Sequence, residues 1–395
     1  MHGKQEKIAH TMLQVLQIGM GWITQQPGGL NRYAFGLSNG LAGLGVDQKW
    51  LVAAREPVQA DLKAFEVLAV TSPDASLLTR FRAFQSAFDA LATGTGRPDA
   101  VASHFALYAF PLRRRLAQVP HVVQFHGPWA AETRAEGAAR WKSWLQKRQE
   151  MAVYRTADRV ITLSSAFADI AVRDYRVPQD IVRVIPGGVD VERFATGSGR
   201  DDARKKLGLP LDRPIGICVR RLARRMGLDV LLDATADVVK RHPDFLLLIG
   251  GKGRLHSELV AQIEQLGLQK NVRLLGYVSD EDLPSYYTAS DFSIVPTQSL
   301  EGFGLIVLES LAAGTPVLVT PVGGLPEILR GFSPQMIMED SSVAAIRDGI
   351  LAILNGSLHL PTAKECYDYT DQNYRWEKIA AKVLQVYQEA IAAHG

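Results

Sequence analysis

The amino-acid sequence predicts an α/β fold with two doubly wound, Rossmann-like parallel sheets. Short apolar runs rich in β-branched residues alternate with amphipathic segments along the whole chain. This alternation is typical of parallel strands covered by helices on both faces. The runs form two successive series, which indicates two such domains. The length of 395 residues and the apolar content of 47% suit two or three globular domains and exclude a chain dominated by disorder.

Each predicted element follows from its own run of residues. The first series predicts buried strands over residues 15–19, 50–53, 100–102, 122–125 and 160–163. The second series predicts strands over residues 215–219, 245–250, 272–275, 292–295 and 316–320. Helical periodicity is clearest over residues 30–44, 140–155 and 376–393. Small and polar residues over 195–214 separate the two series, as expected for a linker followed by a short helix.

The charge balance argues against a nucleic-acid binder. The formal net charge is +3, from 44 Lys and Arg against 41 Asp and Glu. Residues 1–195 hold 23 basic and 17 acidic side chains, whereas the remaining residues hold 21 and 24. A basic first half and a mildly acidic second half suggest two domains with different partners, although chance scatter of solvated charges explains the difference equally well.

The cysteine content and the hydropathy pattern predict a cytoplasmic protein. Cys218 and Cys366 are too few for a disulfide framework and fit a reducing compartment. No targeting signal is visible, and no apolar run approaches the roughly 18 residues of a membrane span. A soluble protein, or one peripheral to a membrane, is therefore expected.

The strongest local motif is the pair Glu301 and Glu309, which follows a predicted strand and leads into a helix. Between the two glutamates, Gly302, Phe303 and Gly304 would present backbone N–H groups at the helix N-terminus, where an anionic or hydroxyl-rich ligand is favoured. Glu301 is expected before the helix and Glu309 more than two turns along it. The two carboxylates could then bind different hydroxyl groups of one extended ligand.

Other loops at strand ends carry residues suited to a phosphate-bearing ligand. Arg221 and Arg225 follow the first strand of the second series, and guanidinium groups match the charge and geometry of a diphosphate. Gly28 and Gly29 precede the first helix, where a glycine-rich turn can cradle phosphate or sugar. Gly251 closes a later strand, and a glycine there allows the backbone to approach a ligand.

With these motifs the sequence resembles the retaining glycosyltransferases of the GT-B fold, in the large Glu-x7-Glu family known as glycosyltransferase family 4 or group 1. The motifs stand in the family's order over nearly the whole chain, at residues 185–190, 301–309, 313–317 and 323–327. The resemblance implies an acceptor domain over residues 1–200 and a donor domain over 201–371, facing a cleft. It also implies that a C-terminal helix over 372–395 packs back on the first domain.

The resemblance assigns a role to each matched residue. Glu309 would hold the nucleotide ribose, Glu301 would lie beside the transferred sugar, and Arg221 would bind the diphosphate. The backbone amides facing the sugar hydroxyls and the phosphate would be those of Gly302, Phe303, Gly304 and Leu305.

Residues outside this motif complete the implied site. His126 ends a predicted strand and would lie near the transferred sugar, so His126, Glu301 and Arg221 are the predicted catalytic residues. In the first domain, Gly28 and Gly29 would meet the sugar donor. Gly251 and Lys252 would lie near its base.

The chain departs from the family pattern in the diphosphate motif. The family pattern resembles Gly-Arg-Leu-x-x-x-Lys-Gly, whereas this chain has Arg220 in place of the first glycine and Met226 in place of the lysine. Arg225 is adjacent to Met226 and long enough to replace the missing cation. It is therefore predicted as the second contact to the diphosphate.

The prediction is a retaining glycosyltransferase that moves a sugar from a UDP-, GDP- or ADP-sugar to a hydroxyl of a glycan, a lipid-linked sugar or a small molecule. No metal and no pyridoxal phosphate are expected, since neither metal-ligand spacing nor a clear lysine site is seen. A sugar phosphorylase or epimerase of the same fold and a two-domain sugar-binding protein remain alternatives. Trp141, Trp144 and Arg148 share a helical face, which suggests peripheral membrane contact, an acceptor groove or a half-buried helix.

Overall fold

The protein contains two parallel β-sheets with helices between successive strands, which confirms the predicted α/β class. The computed structural model describes residues 12–58, 65–92 and 97–395. The first eleven residues of the predicted first domain therefore lie outside the description.

The first sheet contains the five strands predicted for the first series and two others. Its strands are β1 (Gln14–Ile18), β2 (Asp47–Ala53), β3 (Glu66–Thr71), β4 (Ala100–Ser103), β5 (His121–Phe125), β6 (Arg159–Thr162) and β7 (Val182–Val184). They lie in the order β3-β2-β1-β4-β5-β6-β7. The two additional strands, β3 and β7, are the sheet edges, and most of their residues are only partly buried, so they lack a continuous apolar run.

The second sheet contains the five strands predicted for the second series. Its strands are β8 (Ile215–Val219), β9 (Leu246–Gly250), β10 (Val272–Gly276), β11 (Phe292–Val295) and β12 (Val317–Val319). They lie in the order β10-β9-β8-β11-β12, and every recorded pairing is parallel. All residues of β9 and β11 are buried, as expected for strands covered on both faces.

The helices connect the strands, and three of them are the helices that the periodicity predicts. The helices up to residue 194 are α1 (Gly29–Gly43), α2 (Leu77–Ala92), α3 (Ala106–Ala109), α4 (Arg113–Leu116), α5 (Trp129–Ala135), α6 (Arg140–Tyr154), α7 (Ser165–Tyr175) and α8 (Val191–Phe194). The later helices are α9 (Arg200–Leu207), α10 (Leu228–Val239), α11 (His256–Gln265), α12 (Leu283–Thr288), α13 (Leu305–Ala312), α14 (Leu325–Leu329), α15 (Val343–Leu354), α16 (Ala363–Asn373) and α17 (Trp376–His394).

The chain divides into two compact units, each built from separate pieces of sequence. The first unit comprises the described residues within 1–124, 149–161 and 380–395. The second unit comprises residues 125–148 and 162–379. Most of α17 therefore belongs to the first unit, although the helix follows the last element of the second.

Polar contacts attach α17 within the first unit. The side chain of Gln17 in β1 donates to the hydroxyl of Tyr387, which is fully buried, at 3.3 Å. Nearer the end of α17, Glu389 accepts a hydrogen bond from the guanidinium of Arg159 at 3.1 Å. The helix therefore forms part of the core of this unit and is more than a surface addition.

A buried arginine fixes the start of the second sheet. Arg204 in α9 is only 1% exposed, and its guanidinium pairs with Asp291 at 2.9 Å. The same carboxylate accepts a hydrogen bond from the backbone N–H of Ile215, the first residue of β8, at 2.7 Å. The ion pair therefore joins α9 to the strand that leads into the candidate site.

Candidate active site

The predicted donor-binding loops lie at the switch point of the second sheet. In the order β10-β9-β8-β11-β12, the direction of strand succession reverses between β8 and β11. Ligands of open α/β sheets bind at the carboxyl ends of the strands at such a point. The loop over residues 220–227 follows β8, and the loop over residues 296–304 follows β11, so both begin at this edge.

Arg220 connects these two loops. One nitrogen of its guanidinium, Nη2, forms an ion pair with the carboxylate of Glu301 and contacts the hydroxyl of Thr297 at 2.9 Å. The same nitrogen lies 2.8 Å from the Sδ atom of Met226. The side chain of Arg220 is 6% exposed and that of Glu301 is 13% exposed, so this ion pair is buried.

Only one oxygen of the Glu301 carboxylate takes part in these contacts. Oε2 accepts from Arg220 and lies 3.4 Å from the hydroxyl of Thr297. Among the described residues, Oε1 makes no hydrogen bond. The carboxylate is thus held from one side and keeps an oxygen that can accept a hydrogen bond from a ligand.

The residue before Glu301 has an unusual backbone conformation. Leu300 has φ of 55°, in the left-handed region that non-glycine residues rarely adopt. Its carbonyl oxygen accepts a hydrogen bond from Arg225 Nη1 at 2.8 Å. Strain of this kind persists only where surrounding contacts impose it, and here it lies beside the predicted sugar-binding glutamate.

The two predicted diphosphate arginines are paired with carboxylates of one helical segment. Arg221 donates to Glu136 at 2.7 Å, and Arg225 lies 3.5 Å from Glu132. Burial raises the pKa of the Glu132 carboxyl, and this rise is opposed by the charges of Arg225 and Arg221. The Nε–H of Arg225 is buried and has no acceptor among the described residues.

The motif that contains both glutamates forms a tight turn before α13. Gly304 has φ of 93° and α13 begins at Leu305, with its N-terminal amides after the turn as predicted. Glu309 is buried and is the fifth residue of this helix. It therefore lies little more than one turn into α13, because the helix begins later than the motif alone suggests.

The main chain of His126 lies beside Gly302. A Cβ atom at Gly302 would be 2.8 Å from the ring of Phe167 and 3.3 Å from the carbonyl oxygen of His126, so a side chain does not fit there. His126 itself is partly buried, and this burial lowers the pKa of its imidazole to about 3. The ring is neutral at physiological pH.

The turn after β9 is adjacent to Arg220. The carbonyl of Gly250 accepts from the backbone N–H of Arg220 at 2.9 Å. Gly251 has φ of 140°, and a Cβ atom there would overlap the carbonyl oxygen of Arg220. Lys252 is exposed, and its ammonium lies 5.1 Å from the ring centre of Tyr277.

Gly28 and Gly29 belong to the first compact unit. Gly28 is the residue before α1, and a Cβ atom at either glycine would meet no atom of the described residues within 4 Å. The turn before this 15-residue helix therefore has open space beside it. All the other predicted site residues belong to the second unit.

Sequence reasoning missed four polar residues of this arrangement. Arg220 and Thr297 contact Glu301, while Glu132 and Glu136 pair with the predicted diphosphate arginines. The only available signal was the arginine at position 220, where the family pattern has glycine. Nothing local indicates that Glu132 lies near Arg225, since 93 residues separate them along the chain.

Two properties of the described residues bear on cofactors and membranes. Within residues 12–58, 65–92 and 97–395, no group of three or more His, Cys, Asp or Glu side chains is placed to hold a metal ion. In the same part of the chain, no helix has the length and apolarity needed to cross a membrane.

Two family models match successive parts of the chain. Residues 27–193 match the model described as Glycosyltransferase Family 4. Residues 199–376 match the model described as Glycosyl transferases group 1. The boundary between the two matches lies in the linker that separates the two series of strands.

Individual proteins are similar over nearly the whole chain. The D-inositol 3-phosphate glycosyltransferase of Corynebacterium jeikeium is 28% identical over an alignment of 391 residues that covers 93% of each chain. Among solved structures, the sucrose-phosphate synthase of Thermosynechococcus elongatus has a TM-score of 0.79 at 24% identity and covers 96% of this chain and 100% of its own. Anabaena Alr3699/HepE, in complex with UDP and glucose, has a TM-score of 0.74 at 18% identity and covers 94% of this chain and 98% of its own.

Proposed function

Since the chain belongs to the group 1, family 4 glycosyltransferases and has their GT-B fold, we propose that it transfers a sugar from a nucleoside diphosphate to a hydroxyl acceptor with retention at the anomeric carbon. The observation that carries this proposal is the convergence of Arg221, Arg225 and Glu301 at the switch point of the second sheet. Cations beside a sugar-binding carboxylate suit a donor that joins a diphosphate to a sugar.

The first task of such a site is to stabilise the departing diphosphate. Negative charge grows on the phosphate oxygens as the bond to the sugar breaks, and fixed cations stabilise it most when they need no rearrangement. Arg221 and Arg225 would supply this charge together with the N-terminal amides of α13. The buried Nε–H of Arg225, which has no acceptor among the described residues, supports a phosphate oxygen as its partner.

The second task is to orient the sugar. Glu301 Oε1 would accept a hydrogen bond from a sugar hydroxyl, and Glu309 would bind the ribose. The neutral imidazole of His126 can donate or accept one hydrogen bond but carries no charge, so it would orient the sugar as a polar group. We assign no covalent nucleophile: the acceptor would attack from the face that the diphosphate leaves, and a phosphate oxygen would take its proton.

The donor is proposed as a UDP-, GDP- or ADP-sugar, and the reaction is proposed to use neither a metal ion nor pyridoxal phosphate. The arginine set supports this, because guanidinium groups can neutralise a diphosphate directly. The acceptor would be a glycan, a lipid-linked sugar or a small molecule. The name of the Corynebacterium relative supports a polyol phosphate as the first small molecule to try.

A peripheral attachment to the cytoplasmic face of a membrane is proposed through α6. Trp141, Trp144 and Leu145 are large apolar side chains exposed on this helix. Cations lie among them, and the guanidinium of Arg148 is 4.9 Å from the ring centre of Trp144. Exposed tryptophans interleaved with basic residues suit the interface of an anionic bilayer.

One experiment tests the proposed function directly. Slow hydrolysis of a panel of UDP-, GDP- and ADP-sugars would be measured for the natural chain and for Arg221→Ala, Glu301→Ala and Glu309→Ala. Each variant should lose at least about 100-fold in turnover, because removing one stabilising group in the transition state costs about 10²–10³. Arg224→Ala is the matched control, since this exposed arginine of the same loop pairs with Asp229 and Glu258 instead.

The experiment tests both the use of a nucleotide-sugar donor and the retention of the anomeric configuration. NMR of the first-formed sugar product would show the anomer of the donor if the configuration is retained. Near-normal turnover in all three variants, or no turnover of any donor by the natural chain with or without acceptors, would contradict the proposed function.

A further inference from the structure

We infer that Arg220 is a positioning residue that holds the carboxylate of Glu301 aimed at the sugar. The inference rests on the proposed function for the identity of the ligand. It concerns a residue that stands where the family pattern has glycine, so it describes a feature of this chain.

The contacts of Arg220 show that its guanidinium holds the carboxylate of Glu301. Its Nη2 atom is shared by the carboxylate of Glu301, the hydroxyl of Thr297 and the sulfur of Met226. Thr297 itself lies 3.4 Å from the same carboxylate oxygen. The guanidinium therefore belongs to a buried cluster centred on Glu301, whereas Arg221 and Arg225 pair with residues outside this cluster.

Burial makes this pairing necessary. A carboxylate withdrawn from water is strongly disfavoured unless a cation and hydrogen-bond donors compensate it. Glu301 is 13% exposed, and Arg220 is the only cation that pairs with it among the described residues. Loss of Arg220 would leave this carboxylate without the cation that holds it, so it would no longer be kept in the position from which it accepts a hydrogen bond from the sugar.

The two departures from the family pattern are explained together. A lysine at position 226 would place a second cation against Arg220, where the neutral thioether of Met226 now lies 2.8 Å from Nη2. Two adjacent buried cations would repel each other. The arginine at 220 and the methionine at 226 therefore form a matched exchange, in which Arg220 is the cation paired with Glu301 and Arg225 remains the predicted substitute for the lysine at the diphosphate.

The exchange also changes the task of the cation. Arg220 is directed at Glu301, so we expect it to affect the reaction of the sugar and to leave the affinity for the nucleoside diphosphate to Arg221 and Arg225. This separation gives the inference a test that differs from the test of the proposed function.

The test is a double-mutant cycle of Arg220→Met and Glu301→Gln, read in two ways. In hydrolysis of the best nucleotide sugar, R220M should lower kcat by at least about 10-fold, and R220M with E301Q should be no slower than E301Q alone. Binding of UDP, GDP or ADP by calorimetry should change less than about twofold in R220M but fall strongly in Arg221→Ala. Arg220→Lys should recover part of kcat, since it restores the charge.

Thermal unfolding gives a second reading that needs no activity. R220M should lower the Tm by about 5–10 °C, because it strands a buried charge, and adding E301Q should recover much of this loss. The exchanged variant Arg220→Gly with Met226→Lys should fold and keep more activity than R220M. The exchanged variant also takes the place of R220M in the test if R220M is too unstable to study.

Three results would overturn the inference. Equal losses of nucleotide affinity in R220M and R221A would mean that Arg220 grips the diphosphate. Additive effects of R220M and E301Q on both kcat and Tm would mean that the two side chains act independently. Full activity of R220M would mean that Glu301 needs no partner. If the natural chain hydrolyses no nucleotide sugar, the proposed function fails, and the Tm cycle still decides whether Arg220 supports Glu301.

Discussion

The carboxylate of Glu132 lies 3.5 Å from the guanidinium of Arg225, in the second compact unit. Glu136, four residues further on, pairs in the same way with Arg221. Both arginines are predicted to bind the diphosphate of the sugar donor. Two carboxylates therefore pair with the groups that are proposed to bind the phosphate oxygens.

The first prediction is that these carboxylates compete with the nucleotide. Replacing both Glu132 and Glu136 with glutamine should tighten binding of the nucleoside diphosphate by about 2–5-fold, as expected from loss of competing ion pairs worth up to about 1 kcal/mol. Calorimetric titration would measure the change. Glu258→Gln is the control, because Glu258 pairs with Arg224 of the same loop. Unchanged or weaker binding in the double variant would contradict competition.

The second prediction concerns the turn after β9. Gly251→Ala should destabilise the protein by more than about 2 kcal/mol, because the added Cβ atom overlaps the carbonyl of Arg220 in addition to the cost of a positive φ. Gly267→Ala is a matched control with φ of 70° and no atom within 4 Å of the added carbon. It should cost only about 1–2 kcal/mol. Equal losses of unfolding free energy in the two variants, measured with urea, would show that the contact with Arg220 does not affect stability.

The third prediction concerns pH. Burial lowers the pKa of His121 to about 4 and that of His126 to about 3, so the unfolded chain takes up these protons at a higher pH than the folded chain does. Stability from these two groups is therefore complete above about pH 6.5 and is lost as the pH falls toward 4. Each histidine should contribute a slope of about 1.4 kcal/mol per pH unit within that window.

Substitution of His126 separates its contribution to the pH dependence of stability from the contributions of the carboxyl groups. The free energy of unfolding of His126→Gln, measured between pH 7 and pH 4, should fall less steeply than that of the natural chain. Parallel curves for the two proteins would rule out His126 as a source of the slope.

The fourth prediction compares two arginines that share one carboxylate. Arg204 is 1% exposed and Arg200 is 53% exposed, and both pair with Asp291. Arg204→Ala should cost about 3–5 kcal/mol, because it removes the buried partner of Asp291 and leaves four backbone carbonyls without this donor. Arg200→Ala should cost less than about 1 kcal/mol. Similar losses of unfolding free energy in the two variants, measured with a denaturant, would show that burial of the arginine does not determine its contribution.

The fifth prediction tests the proposed membrane contact. Replacing Trp141 and Trp144 together with serine should reduce sedimentation with anionic vesicles by at least about 10-fold, and raised salt should weaken binding of the natural chain. Leu211→Ser removes an exposed apolar side chain elsewhere and should bind as the natural chain does. Equal binding of neutral and anionic vesicles, or no binding by the natural chain, would count against the contact.

The sequence predicted the scaffold of the site because local patterns determine it. The strands β8 and β11 are short, mainly apolar runs, and the motifs at 220–227 and 301–309 follow them in the chain. The periodicity is weak where burial is partial, so β3 and β7 at the sheet edges gave no signal. The depth of Glu309 in α13 was overestimated, because the helix begins only at Leu305, after the positive φ of Gly304.

The side-chain pairs of the site could not be predicted, for a different reason. Arg220 and Glu301 are 81 residues apart, and only the order of strands in the sheet brings their loops together. The sequence shows an arginine in place of a glycine and a methionine in place of a lysine, without showing that the two contact each other. Their relationship appears only when Met226 is seen against Nη2 of Arg220.

The first compact unit takes its last piece, residues 380–395, from the far end of the chain. That piece includes Tyr387, which is fully buried and hydrogen-bonded to Gln17. A ribosome releases Gln17 more than 360 residues before it releases Tyr387. Folding during translation usually proceeds from the N-terminal domain onward. Here the second unit can complete its fold while the first unit still lacks the residues that close its core.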